Sequence, residues 1–346
     1  MNRIFNHDGF ELLAELAGTD CTLADADRVL VAPLAVAGFN AIDWCLCSTG
    51  IHNCRTRHGR GITRELLARS HADNPAMWGE AAADTIFPIG EVVERYSARE
   101  KDLLDCVIAA GHARGLRVYG NVRLNHACVP RWLTGVPGPS HAGGLRKDFR
   151  DAAFQAYLLE LFADLLAKGV DGLSLDFERK APFFPDGVPQ DERFAACTRF
   201  VRAARALTDK PLLARVAYQP EKGELQGQQP LTWMAEGLLD AVVPATHNHE
   251  PDPFDWVPKV FFATAKCSPR PCAVCPQLWP TPEPWNNGHN RRHASEAVRQ
   301  RCDALHIAGA DGAYFFNFCS YGPLAGFSQS IEKRPDQETV RKENFS

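Results

Sequence analysis

A short apolar run followed by a longer segment of helical spacing recurs along this chain from end to end, and few folds accommodate that beat. The runs are RIFNH (3–7), AIDWCLC (41–47), LRVYGNVRL (116–124), VDGLSLDFE (170–178), PLLARVAYQ (211–219), LDAVVPATH (239–247), PCAVCPQLW (271–279) and GAYFFNF (312–318). Between them, DFRDAAFQAYLLELFADLLAKG sets Phe154, Leu158, Leu161, Phe162, Leu165 and Leu166 along one stripe and stops at Gly169. AREKDLLDCVIAAGHARG, DERFAACTRFVRAARAL and ASEAVRQRCDALHIAG repeat the scheme. Several runs open after a helix-to-strand break: Gly115-Leu116, Asp171-Gly172 and Asp311-Gly312.

Strand and helix alternating in this way predict an α/β fold, a (β/α)8 TIM barrel over residues 1–330 with a polar tail over 331–346. A doubly wound open sheet is the rival, but no glycine-rich phosphate loop follows RIFNH. The 346 residues suit one large barrel or two medium domains, no composition break marks a second domain, and 45% hydrophobic content can fill a core. Residues 50–96, basic at the start and weakly periodic, are expected to elaborate the loop after the second strand, on the face where barrels work.

The net charge of −4 offers no basic footprint, which argues against nucleic acid and anionic membranes as partners. No apolar run approaches the roughly 20 residues of a membrane helix. MNRIFNHDGF lacks the basic stretch and apolar core of a secretory signal, so the expectation is a cytoplasmic protein, or a secreted one already trimmed. Cys267, Cys272 and Cys275 have the C-x4-C-x2-C spacing of an iron–sulfur loop. A strand over 271–279 would instead send Cys272 and Cys275 to opposite faces, and the repeating pattern demands a strand there. No cofactor and no metal are expected.

The most informative run is VDGLSLDFE. Alternate residues of a strand share a face, so Leu173, Leu175 and Phe177 face the covering helices while Ser174, Asp176 and Glu178 face the barrel interior. Inward carboxylates are costly unless paired or solvated, and a barrel tolerates them best at the carboxyl ends of its strands, where the interior opens into a cleft. Asp176 and Glu178 lie at that end. The packing alternative is a buried ion pair with Arg123 or Arg179.

DGLSLDFE resembles the D-G-x-D-x-D-x-E signature of chitinase-type glycoside hydrolases, with Asp171, Asp176 and Glu178 matching and Ser174 departing. The resemblance implies that Glu178 protonates the leaving oxygen and that Asp176 orients the substrate. The tyrosine that follows a later strand in that family has no counterpart in VVPATHNHEPD. Over nearly the whole chain, FNHDG (5–9), VRLNHAC (122–128) and LDFERKAPFF (175–184) are similar to motifs of the bacterial family-10-like glycosyl hydrolases. That resemblance implies a sugar-active barrel and leaves the sugar open.

The other strand ends carry groups suited to a carbohydrate: Asp8, Arg123, Asn125, His126, Arg179, Tyr218, His247, His249, Gln277, Trp279 and Asn317 are the candidate substrate-binding residues. Trp78, Trp132, Trp256, Trp279 and Trp285 fall in segments that follow strands, where aromatic faces can stack on sugar rings. Glycoside hydrolysis ordinarily uses two carboxyl groups. Glu178 is the candidate acid, and Asp176 or Glu250 its partner. The expected function is therefore a glycoside hydrolase acting on a poly- or oligosaccharide. The alternatives are a metal-dependent hydrolase or lyase built on His247 and His249, with Asp8 or His7 completing the site, and a barrel that binds sugars without cleaving them.

Overall fold

The computed structural model describes residues 2–7, 9, 11–46, 48–73, 87–125, 135–142, 146–179, 181–246, 258–278 and 300–316. One parallel sheet dominates, made of β1 (Asn2–His7), β2 (Ala41–Cys45), β3 (Arg117–Arg123), β4 (Gly172–Asp176), β5 (Leu212–Ala217), β6 (Ala241–Ala245), β7 (Ala273–Val274), β8 (Gln277–Leu278) and β9 (Gly312–Phe315). The order across the sheet is β7-β6-β5-β4-β3-β2-β1-β9-β8. Its two outermost strands are consecutive pieces of chain, β7 pairing with β6 and β8 with β9, separated only by Cys275 and Pro276. They are two halves of a seventh stave and β9 is the eighth, so the ring closes as a (β/α)8 barrel. Proline, which has no N–H to give a ladder, stands at the break. All eight expected strands are present.

Alternation sorts the strands into two environments. Outward residues such as Phe5, Ile42, Trp44, Val118, Val122, Leu173, Leu175, Phe177, Leu212, Ala214 and Phe315 join one large core with the surrounding helices. Inward ones (Ile4, Ala41, Tyr119, Leu213, Ala241, Val243, Cys275, Tyr314 and Phe316) form a second cluster inside the ring. The parity read for VDGLSLDFE is therefore the observed one. Phe177 packs edge-on and tilted among Phe149, Phe183 and Trp233. The two phenylalanines of KAPFF serve that same core, since Phe183 and Phe184 are buried in it.

Among the helices, Leu103–Ala113, Ala152–Lys168 and Gln190–Ala206 fall where the periodicity puts them. Gly169 ends the second of these in the left-handed conformation, φ 94°, as a stop residue should. The 50–96 segment holds more than weak periodicity suggests: a two-residue strand pair, Ile51–His52 with Arg60–Gly61, and the helices Arg64–Asp73 and Phe87–Ser97. The first of those helices buries only Leu66 and Leu67 in the core, which is why its stripe is faint.

The floor of the barrel carries a repeated device. The residue immediately before each of the second, fourth, sixth and eighth staves is Asn40, Asp171, Asp240 or Asp311, and each takes a backbone N–H from the start of the preceding stave. Arg3 N donates to Asn40 at 3.0 Å, Val118 N to Asp171 at 2.7 Å, Leu212 N to Asp240 at 2.8 Å and Val274 N to Asp311 at 2.9 Å. Each bond satisfies a donor that opens a strand and would otherwise be left without a ladder partner. Gly172 follows Asp171 because a Cβ there would lie 2.4 Å from the Pro211 carbonyl oxygen.

Candidate functional site

Above the apolar floor the interior turns polar. Asn6, Asp43, Asn121, Arg123, Ser174, Asp176, Arg215 and Gln277 are all buried and share the inward parity of their strands. Such a layer is tolerated only where the groups satisfy one another. Arg215 of β5, fully buried, is the hub on one side. Its Nη1 meets Asp176 Oδ1 at 2.8 Å, its Nε donates to Gln277 Oε1 at 2.7 Å, and its guanidinium lies 4.0 Å from the Phe316 ring centroid. Gln277 in turn donates to Thr246 Oγ1 at 3.2 Å. Asp176 does form a buried ion pair, but with Arg215 rather than with Arg123 or Arg179. Strand register explains the choice: Asp176 and Arg215 are direct partners across β4 and β5.

Glu178 departs from the expected geometry in one respect. The strand ends at Asp176, and Asp176 Oδ1 accepts the Glu178 N–H at 3.0 Å, a local side-chain bond that turns the chain out of the ladder. The two acids therefore do not share a strand, although they remain at its carboxyl end. Glu178 is only 4% exposed. Its Oε1 accepts Gln228 Nε2 at 2.7 Å, and Gln228 Oε1 accepts the Ala217 N–H at 2.9 Å, which fixes the amide's orientation. Gln228 thereby holds the Glu178 carboxyl group in a set orientation.

A third interior acid stands opposite. Asp43 of β2 is completely buried, and its Oδ2 accepts Asn121 Nδ2 at 2.7 Å, Ser174 Oγ at 3.1 Å and the Tyr314 hydroxyl. Burial pushes its carboxyl up to about 6, a shift that Tyr314, Asn121 and Ser174 oppose and the nearby charge of Asp176 reinforces. Burial, with Asp43 beside it, also raises Tyr314 well above the ordinary phenol range.

The expected binding residues divide unevenly. Arg123 faces inward beside Asp176, its register partner on β4. Gln277 is in the layer with Arg215. Arg179 is half-buried, with its guanidinium 5.8 Å from the Phe316 ring. Tyr218 stands just past β5, with the Lys222 ammonium 5.5 Å from its ring. Asn125 is occupied by backbone: it accepts from Lys147 N at 3.1 Å and donates to the Lys147 and Pro182 carbonyls. It ties the Ser140–His141/Arg146–Lys147 hairpin to the loop after β4. His7, the other residue considered for a metal, lies outside the ring, stacked 4.3 Å from Trp44, with Nδ1 accepting the Gly9 N–H.

Asp171, the first residue of the D-G-x-D-x-D-x-E match, is the floor cap described above, bonded also to His112. Cys272 belongs to the outer core and Cys275 to the inner cluster, so the strand reading of CSPRPCAVC holds. Among the described residues no group of three His, Cys, Asp or Glu side chains is placed to hold a metal. Asp8, His126, His247, His249, Glu250, Trp279 and Asn317 lie outside the described residues, as do Trp78, Trp132, Trp256, Trp285 and the 331–346 tail.

No protein-family model matches the chain. No curated protein matches it in sequence either. Solved structures do match in fold. A GH5_18 protein of Streptomyces cattleya, solved in complex with Manb1-4GlcNAc, aligns over 100% of this chain and 82% of its own at 13% identity, with a TM-score of 0.50. A GH18 chitinase from Pseudoalteromonas aurantia aligns over 96% and 99% at 10% identity, TM-score 0.48. A dihydrodipicolinate synthase from Agrobacterium tumefaciens aligns over 99% and 77% at 13% identity, TM-score 0.45. Likeness at these identities is one of fold, and it agrees with the TIM barrel described above. No helix among the described residues is long and apolar enough to cross a membrane.

Proposed function

We propose that the protein is a glycoside hydrolase with Glu178 as its general acid. The observation that carries this reading is the pair of buried acids at the carboxyl end of β4, linked by the bond from the Glu178 N–H to Asp176 Oδ1. Asp176 is an ion-paired carboxylate on Arg215, while Glu178 takes a neutral amide from Gln228. Enzymes that cleave glycosidic bonds use such a division: one carboxyl group gives a proton to the leaving oxygen, and another carries negative charge as cationic character builds on the sugar ring. Glu178 suits the first task because it is buried at the carboxyl end of β4, next to Asp176, with Gln228 orienting its carboxyl group. Asp176 or Glu250 suits the second. Arg123, Arg179, Tyr218 and Gln277 would line the cleft against sugar hydroxyls, with Asp8, His126, His247, His249, Trp279 and Asn317 from the neighbouring loops. The similarity of FNHDG, VRLNHAC and LDFERKAPFF to the family-10-like glycosyl hydrolases supports the same substrate class.

The test is a panel of aryl glycosides and oligosaccharides, assayed with wild type and Glu178→Gln, with and without chelator. The expected result is turnover that falls by roughly 10²–10⁴-fold in the variant and ignores the chelator. The Gln228 amide can donate to a glutamine carbonyl as well as to a carboxylate, so the melting temperature should hold. Turnover unchanged in the variant would remove Glu178 from the chemistry. Turnover abolished by chelator would move it to His247 and His249.

A further inference from the structure

Three side-chain oxygens in the polar layer, Asn6 Oδ1, Asp43 Oδ1 and Asn121 Oδ1, are buried and receive no donor among the described residues. They belong to neighbouring strands: Asn6 is the register partner of Asp43 and donates from its Nδ2 to the Asp43 carbonyl, while Asn121 donates to Asp43 Oδ2. Orphaned acceptors are rare in folded interiors, and a proton on Asp43 would turn one of these three oxygens into a donor among the others. Asp43 is the group that can bring one. Its Oδ2 already takes three donors, so an added proton goes to Oδ1.

We propose that Asp43 is a third working carboxyl group of this site, a positioning residue whose proton, when present, sits on Oδ1 and whose charge is felt by Asp176 across strand β3. The coupling has a structural route. Ser174, which donates to Asp43, is two residues from Asp176 on the same inward face. The groups that face Asp43 are few. β3 presents Tyr119, Asn121 and Arg123; β4 presents Ser174 and Asp176; β5 presents Arg215; the seventh stave presents Cys275; and β9 presents Tyr314. β2 itself adds Cys45, whereas the inward residues of β1 and β6 are not titratable. None of the bonds described for Asp43 comes from a cation, and loss of its proton places a second carboxylate charge in the layer beside that of Asp176. The working half of this inference rests on the glycosidase reading; the presence and place of the proton do not.

The experiment is a pH titration of the full chain by infrared difference spectroscopy, following the carbonyl band of protonated, isotope-labelled aspartate in wild type, Asp43→Asn and Tyr314→Phe. The expected result is a band that titrates near pH 6 in wild type and is missing in Asp43→Asn. In Tyr314→Phe, which removes a donor to the ionised form, its midpoint should rise by about one pH unit. An Asp43 of constant charge would show no midpoint for Tyr314→Phe to move. Absence of such a band between about pH 4 and about pH 8, or a midpoint indifferent to Tyr314→Phe, overturns the proposal. Should Asp43→Asn fail to fold, Ser174→Ala replaces it, with the same upward shift expected; no shift there overturns the proposal too. A titrating band in a protein that cleaves no glycoside would sink the glycosidase reading and leave the proton in place; turnover without the band would do the reverse.

Discussion

Asp43 and Asp176 point into one barrel from strands two apart, and neither exposes more than 1% of its surface, yet they keep opposite company. Asp176 has a guanidinium at 2.8 Å. Asp43 has an amide, a hydroxyl and a phenol. A carboxylate with a bonded cation is held charged by Coulomb attraction in a medium that screens poorly. One with neutral donors has hydrogen bonds but no countercharge, so desolvation wins and the carboxyl rises to about 6. The same residue type on the same kind of strand therefore meets a guanidinium in one place and only neutral donors in the other.

The comparison breaks most visibly at Arg215. Arg215→Met keeps apolar bulk over the Phe316 ring but removes the guanidinium that Asp176 bonds. Removing one partner of a buried pair costs about 3–5 kcal/mol, and urea denaturation at neutral pH should show a loss of that size. A loss below about 1 kcal/mol, the scale of an exposed pair, would mean that water reaches Asp176 and that the two acids differ less than their surroundings suggest.

Asp43→Asn tests the other side, and its effect depends on pH. The carboxyl rises from 3.8 to about 6 on folding, so the native chain holds this proton more tightly than the unfolded one. Stability from this group is complete below about pH 4, declines as pH rises toward 6, and is flat above that. Asparagine cannot ionise, so the variant should lack this decline. Its stability relative to wild type should climb by about 3 kcal/mol between about pH 4 and about pH 7, two pH units at 1.36 kcal/mol each. A difference that stays level with pH would show that Asp43 does not change charge in that window.

Much of this arrangement was legible in the chain before any coordinates. Eight strands and their parity follow from alternation alone, because a strand buried on both faces must still send successive side chains to different neighbours. Asp176 and Glu178 stood out for the same reason. Asp43 and Arg215 did not, although AIDWC and LLARVA each carry a lone charge at an inward position between apolar outward ones, the very signal that marked GLSLD. Two acids on one strand drew the eye, whereas the interior of a barrel is assembled from one polar residue per strand on several strands. Gln228 had no such mark: it comes from a loop, where no period constrains the side chain, and only the fold brings it to Glu178. Asp171 was legible but for another purpose, since the helix-to-strand turn needs an acceptor for the Val118 N–H whatever chemistry lies at the other end.

The smallest change sharpens the contrast without removing either acid. Tyr314→Phe deletes one of three donors to Asp43 Oδ2 and keeps the ring that fills the barrel beside Tyr119 and Phe316. A hydrogen bond to a charged acceptor is worth more than one to a neutral acceptor, roughly 1.5–3 against 0.5–1.5 kcal/mol. The variant should therefore lose about 1–2 kcal/mol more stability above the Asp43 transition than below it, measured by paired denaturation curves on either side of about pH 6. An equal loss at both ends would mean that the phenol bonds a carboxyl group of constant charge. Asp43 would then be a fixed acceptor, and the two carboxyl groups would differ in partner but not in what they do with a proton.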